Sequence, residues 1–271
     1  MSDRIDPVAE QEHVLDISML PADLQRDAPV LTVNRIGQTE NAYMRTECYL
    51  GYVEPERTYS LGFDGMKPAD DMQVKDLPQS IKPPLTILTG QWISEVDLTI
   101  EDANILGGNG RYLLEEGETE LQIAVAETTP EHLAYYGSHL VKVGEAVKFT
   151  STGNLPLTIT AVGEDYPDGY LLDPEKGGGA YLEVHDRPHF HMPMNEECGG
   201  YLIIGKRQES GVNEVSAFKI PYGYGVHMAP WAIHADAYLQ GPYMVIYSAT
   251  PRFSTVIVRK QDGELAKISF K

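Results

Sequence analysis

Five of the chain's eight histidines fall within one fifty-residue stretch: His185, His189, His191, His227 and His234. His189 and His191 stand two apart in the segment Pro188-His-Phe-His-Met-Pro-Met-Asn-Glu-Glu197. In a strand, residues i and i+2 share a face, so both imidazoles project into the same space. Two neutral imidazoles that close together anchor a transition metal. Glu196 follows His191 after four residues, room for a turn that returns a carboxylate to the pair; Glu197 serves if the turn is offset by one. The second element is Gly225-Val-His-Met-Ala-Pro-Trp-Ala-Ile-His234. Pro230 can open a tight turn into a strand that carries His234 as a third imidazole. His189, His191, His234 and Glu196 around one divalent transition ion would leave about two octahedral positions open. Open positions belong to catalytic rather than structural sites. His227 lines the pocket, stands in as a ligand, or is an ordinary strand residue. His185, beside Asp186, reads as a turn cap.

Proton carriers for such a site are sought among its sequence neighbours: Glu197, Tyr201 and Tyr238, with Lys206 and Tyr243 behind them. Trp231 walls the pocket or simply packs, and Met192 and Met194 line or cover its mouth. Gly177-Gly-Gly179 lacks the Gly-Lys-Ser/Thr ending of a phosphate loop. No Ser/His/Asp or Cys/His nucleophile arrangement is present. The two cysteines, Cys48 and Cys198, imply no disulfide framework.

The elements that position these residues are strands. The chain holds 25 glycines and 18 prolines in 271 residues, about a sixth against roughly an eighth in ordinary proteins. Short β-branched or alternating segments recur over 43–53, 85–93, 95–100, 121–125, 145–149, 157–162, 181–184, 201–205, 217–220, 243–247 and 254–258. One helix signal interrupts them: Thr129 as cap, Pro130 at the first helical position, Glu131 at the positive end, and Gly137 as a stop. Residues 55–84, broken by Gly62, Gly65, Pro68, Pro78, Pro83 and Pro84, read as loop. The expected class is therefore all-β, a sandwich or barrel. The expected divisions are an N-terminal arm with edge strands over 1–80, a β-rich unit over 81–165, and the histidine-bearing barrel over 166–271.

Charge narrows the partners. The formal charge is −19. Such a surface repels phosphate backbones and anionic membranes, so neither nucleic acid nor a membrane is expected. A metal can still draw an anionic small molecule into a site. The first residues carry no apolar signal-peptide core and no run reaches the ~18 residues of a spanning helix, so a cytoplasmic protein is expected. A long arm beside a barrel suggests a homodimer.

The segment His-Phe-His, four residues, Glu196, then Tyr201-Leu-Ile-Ile-Gly205 resembles the first motif of the cupin superfamily, and Gly225 to His234 resembles the second. The likeness covers residues 180–258. It implies a jelly-roll barrel holding one metal ion, and a two-barrel chain whose N-terminal barrel is degenerate. Glu-Glu-Cys-Gly-Gly lengthens the first motif, and Trp231-Ala232 replaces the usual glycine turn of the second. Pro230-Trp-Ala-Ile-His234 is similar to the late histidine motif of the 5-keto-4-deoxyuronate isomerases, which hold zinc. Residues 218–234 can also be laid on the ureidoglycolate lyase pattern. The resemblance implies a metal-dependent isomerase or lyase acting on a small oxygenated acid or sugar acid. A non-haem iron dioxygenase and a non-catalytic binding cupin are the alternatives.

Overall fold

The computed structural model describes residues 16–27, 31–94 and 110–271. Strand makes up 45% and helix 7%, so the all-β class holds, and one sheet curls into a half-barrel. The expected strand over 95–100 lies outside the described residues.

The central sheet runs, in order of hydrogen-bonded neighbours, through Asn34–Ile36, Tyr43–Val53, Leu155–Val162, Leu239–Ile246, His189–Pro193, Tyr224–Met228 and His139–Lys142. A second sheet runs through Thr86–Leu88, Asn213–Phe218, Leu202–Arg207, Ile233–Ala235, Tyr181–His185, Phe253–Arg259, Gly110–Leu113 and Gln91–Ile93. A three-stranded sheet of Ala146–Lys148, Thr58–Gly62 and Gly65–Pro68 is also formed. Strands from before residue 165 therefore pair into the same sheets as strands from after it. Leu155–Val162 sits between Tyr43–Val53 and Leu239–Ile246. Among the described residues, no sheet is built from residues 81–165 alone.

Strand parity sorts the side chains of His189–Pro193 onto two cores. Phe190 and Met192 join an apolar cluster with Phe149, Leu155, Leu157, Met244 and Ile246. That cluster also takes Tyr59 and Leu61 from the small sheet, so it lies between the small and central sheets. His189 and His191 therefore face the other way. Their cross-strand partners, Met228, Val226 and Val245, belong to the larger core. That core is filled from the second sheet by residues such as Leu182, Ile204 and Val256. With both faces covered, all five residues of His189–Pro193 are buried.

The helix signal is realised as Pro130–Ala134, with Thr129 Oγ1 accepting from the His132 N–H at 3.2 Å. Gly137 follows at φ 70°, in the left-handed region that glycine adopts without strain. Residues 55–84 depart from the expected loop, because Thr58–Gly62 and Gly65–Pro68 form a hairpin. Gly62 and Gly65 are the ends of its turn, and Tyr59 and Leu61 alternate into the core.

Candidate metal centre

Four side chains converge where the two large sheets face each other: Glu183, His185, His189 and His234. All four are buried, and one ligand atom from each lies within 4.8 Å of the others. Tyr181–His185 places Glu183 and His185 on one face by the alternation of a strand. His234 enters directly opposite Glu183 across the pairing with Ile233–Ala235. His189 comes from the central sheet. The turn Asp186-Arg187-Pro188 joins the two sheets and brings His185 and His189 together.

The spacing suits an ion. Metal–ligand bonds of about 2.0–2.1 Å put neighbouring donors about 3 Å apart and opposite donors about 4.2 Å apart. His234 Nε2 stands 3.1 Å from Glu183 Oε1, off the line an aligned hydrogen bond needs. His185 Nε2 and His189 Nε2 are 2.7 Å apart. Donor atoms held this close need a proton or a cation among them. The His189 ring centroid lies 4.1 Å from that of His234 and 4.6 Å from that of His185.

Partners around the cluster fix its orientation. His234 Nδ1 donates to the Ala232 carbonyl at 2.9 Å, which leaves the Nε2 lone pair for a ligand bond. That is the usual arrangement of a metal-bound histidine. Thr255 Oγ1 donates to Glu183 Oε2 at 3.3 Å. Burial pushes His185 down to about 3, with the nearby His234 adding to the shift. Burial holds His189 well below the ordinary imidazole range. Both are neutral at pH 7, as ligation requires. Burial also acts on His234, but the Glu183 carboxylate outweighs it and raises the group.

A second polar group adjoins the first. His191 Nε2 lies 3.3 Å from Asp236 Oδ2, and Tyr181 Oη donates to Asp236 Oδ1 at 2.6 Å. Tyr247 also bonds Asp236, and its ring lies 5.5 Å from that of His189 and 5.6 Å from that of His191. Burial alone would raise Asp236. The His191, Tyr181 and Tyr247 hydrogen bonds reverse that and hold it far below the usual carboxylate range. Burial, then the Asp236 charge, push Tyr247 well above the ordinary phenol range.

The sequence-derived set is thus divided. His189 and His234 meet in the four-residue cluster, while His191 sits beside it on Asp236. Glu196 and Glu197 are exposed in the turn after His189–Pro193, away from the cluster, and the carboxylate among the histidines is Glu183. Tyr201 and Tyr238 pack on Phe270, at 4.7 and 5.2 Å between ring centroids. The Tyr238 hydroxyl accepts from the Ile268 N–H. Lys206 Nζ donates to the Tyr135 carbonyl, and Tyr243 Oη to that of Gly199. His227 lies opposite Phe190 in the ladder, so it points to the other face of the central sheet. Trp231 is half-exposed, at φ 69°, and its N–H donates to the His185 carbonyl at 2.7 Å.

Glu183, His185, Asp236, Tyr181 and Tyr247 are the residues that sequence reasoning missed. A signal existed: Tyr181-x-Glu183-x-His185 and His234-x-Asp236 repeat the two-residue spacing of His189-x-His191. Comparison with protein-family models, with curated proteins and with solved structures finds no match, so the chemistry of this chain rests on the geometry of its own site.

Proposed function

We propose that the chain is a metal-dependent cupin enzyme, with Glu183, His185, His189 and His234 holding one divalent transition ion. The reaction best suited to the site is isomerisation or elimination on a small oxygenated acid or sugar acid. The observation that carries this reading is the buried four-donor convergence, with His234 Nε2 and Glu183 Oε1 side by side and unaligned for a hydrogen bond. When bound, the ion supplies Lewis acidity toward substrate oxygens.

The chain's own residues supply the rest. Asp236 orients His191 so that Nε2–H donates to the carboxylate. Nδ1, buried and without a hydrogen-bond partner, is then free to accept a proton. Tyr181 and Tyr247 fix Asp236 from its other lone pairs. Tyr247 keeps its proton, which is committed to the Asp236 carboxylate and so holds that group toward His191. Apolar packing around the cluster excludes water and strengthens these interactions.

The test is metal analysis of protein purified without chelator or immobilised nickel. About one transition ion per chain is expected. Glu183→Gln, His185→Ala and His234→Ala should lose it, whereas Glu196→Gln and Glu197→Gln should keep it. His191→Ala should keep the ion while losing any turnover. Stoichiometry near zero in the parent protein overturns the metal reading. Loss of the ion in Glu196→Gln and not in Glu183→Gln overturns the ligand assignment. Turnover that stops without O2 would move the reaction to the dioxygenase class.

A further inference from the structure

Residues 16–27 belong to no sheet, yet three contacts fasten them to the rest of the chain. Leu20 and Leu24 pack with Leu31 and against Tyr49, in a small core separate from the two others. Asp23 Oδ2 accepts from the Asn154 N–H at 2.8 Å, and Asp23 Oδ1 from Asn154 Nδ2 at 3.3 Å. Asp27 Oδ1 accepts from the Ala249 N–H. Ala249 follows Tyr247 by two residues, and the Tyr247 ring adjoins those of His189 and His191. The segment therefore grips the chain just behind the metal centre.

Asp27 is fully buried, and its Oδ2 has no hydrogen-bond partner. The groups that face it come from three places. From its own segment, Arg26 Nε stands 3.8 Å from Oδ2, beyond hydrogen-bond length, on a half-exposed side chain. From the turn between His185 and His189, Arg187 acts on it only through space. Arg187 Nη1 donates to Ser151 Oγ at 2.7 Å, its Nε is unpartnered at 4.0 Å from Asp186 Oδ1, and its charge is shared among Asp186, Asp27 and Asp23. From the Ala249 stretch, Ser248 acts on the carboxyl, although its buried Oγ is aligned for no hydrogen bond. Tyr49, raised by burial, is neutral and adds no charge. A carboxylate shut off from water needs donors on both oxygens. Here the Ala249 amide serves one, and neither arginine hydrogen-bonds the other. Burial therefore outweighs the amide, the arginines and Ser248, and the carboxyl is raised to about 6.

We propose that residues 16–27 form a pH-sensitive clasp, which holds the Ala249 stretch and the Asp186-Arg187-Pro188 turn while Asp27 is protonated and loosens as Asp27 ionises. Asp27 is not among the four proposed metal ligands, so the clasp does not rest on the metal reading. Released, Asp27 titrates near the unfolded value of about 3.9. Clasped, it titrates near 6, so the clasped state holds an extra proton between the two values. The clasp therefore tightens as pH falls through that window, by about tenfold from pH 7 to pH 5.

Amide hydrogen exchange of the full chain as purified, corrected for the intrinsic pH dependence of exchange, reads the opening at pH 7, 6 and 5. The reporters are the Ala249 N–H on Asp27 Oδ1, the Leu24 N–H on the Pro21 carbonyl and the Asp27 N–H on the Leu24 carbonyl. Their protection should rise about tenfold from pH 7 to pH 5, with no such rise in Leu155–Val162 of the central sheet. Asp27→Asn keeps an acceptor for the Ala249 N–H and should make the reporters' protection independent of pH. Carboxyl-carbon NMR of Asp27 in the parent protein, which does not depend on the variant folding, should titrate with a midpoint near 6. The proposal is overturned by equal protection at pH 7 and pH 5, or by a rise that Leu155–Val162 shares. It is equally overturned by a rise that persists in Asp27→Asn, or by a midpoint near the unfolded value of about 3.9.

Discussion

Acid should unfold the metal-stripped protein well above the pH at which carboxylates titrate. Burial pushes His185 and His227 down to about 3 and holds His189 well below its ordinary range. In the unfolded chain all three titrate near 6.5. Below that pH the unfolded chain takes up three protons that the folded chain refuses, so stability falls with falling pH. Each histidine contributes about 1.4 kcal/mol per pH unit, or roughly 2 kcal/mol between pH 6.5 and 5. Asp27 opposes them. Its carboxyl is raised to about 6, mainly by burial, so between pH 6 and 4 the folded state holds the extra proton. By pH 5 that returns about 1.4 kcal/mol. The stability that raised His234 contributes is fully present below 6.5 and is lost only as pH rises through its folded value. It therefore offsets the other histidines slightly between pH 7 and 6.5 and adds no slope between pH 6 and 5. Depressed Asp236 matters only as pH falls below its unfolded value of about 3.9.

The net loss from pH 7 to 5 is about 4–5 kcal/mol, a large part of the 5–15 kcal/mol that holds an ordinary domain. Urea denaturation at pH 7, 6 and 5 in a chelator measures it. With a slope of about 2–3 kcal/mol per molar urea, the midpoint should fall by about 2 M. Asp27→Asn removes the counterweight and should steepen the fall. A midpoint that moves by less than about 0.5 M between pH 7 and 5 refutes the reasoning, because three buried neutral imidazoles cannot be insensitive to that interval.

Two further changes test the packing around the site. Tyr181→Phe removes the hydroxyl that holds Asp236 Oδ1 at 2.6 Å, and should cost about 1.5–3 kcal/mol in urea denaturation at pH 7. An unchanged midpoint would show that the hydroxyl does not support that buried charge. At Gly225 an added Cβ would stand 2.1 Å from Phe190 Cζ, so Gly225→Ala should cost about 1–3 kcal/mol by overpacking. A midpoint equal to that of the parent would mean that the second core yields there.

The sequence exposed most of the elements and only part of the site. Tyr43–Val53 and Pro130–Ala134 were readable because each carries a local signal, β-branched and aromatic content in one and a Thr-Pro cap in the other. The Thr58–Gly62 hairpin was hidden because its two turn glycines count as breakers until Tyr59 and Leu61 are seen to alternate. The distribution of early strands over the later sheets was not readable, since nothing local specifies that Leu155–Val162 will lie beside Leu239–Ile246. The same limit applied to the ligands. Glu196 follows the histidine pair closely in sequence, yet the turn carries it into solvent. Glu183 is near only because Ile233–Ala235 pairs with Tyr181–His185, a long-range contact that sets Glu183 against His234.

The middle of the central sheet, at His189–Pro193, is buried on both faces, and that has a chemical consequence. A strand with one wet face can leave its polar residues to water, and its alternation then shows which side is the core. His189–Pro193 has no wet face, so every residue is buried and the apolar pattern does not show which way the histidines point. Only the ladder does so: His191 opposes Val226 and looks into the larger core, while Phe190 opposes His227 and looks into the smaller one. A polar group on either face must then be satisfied inside the protein or by something that enters it. Most are, as when Tyr181 and His191 meet Asp236. His189 Nδ1, His191 Nδ1 and His234 Nε2 on the inner side and His227 Nε2 on the outer side are not. His234 Nε2 stands among three other ligand-type residues, a set that can hold a cation. The parity of Phe190 among its neighbours thus assigns each histidine to its side of the central sheet.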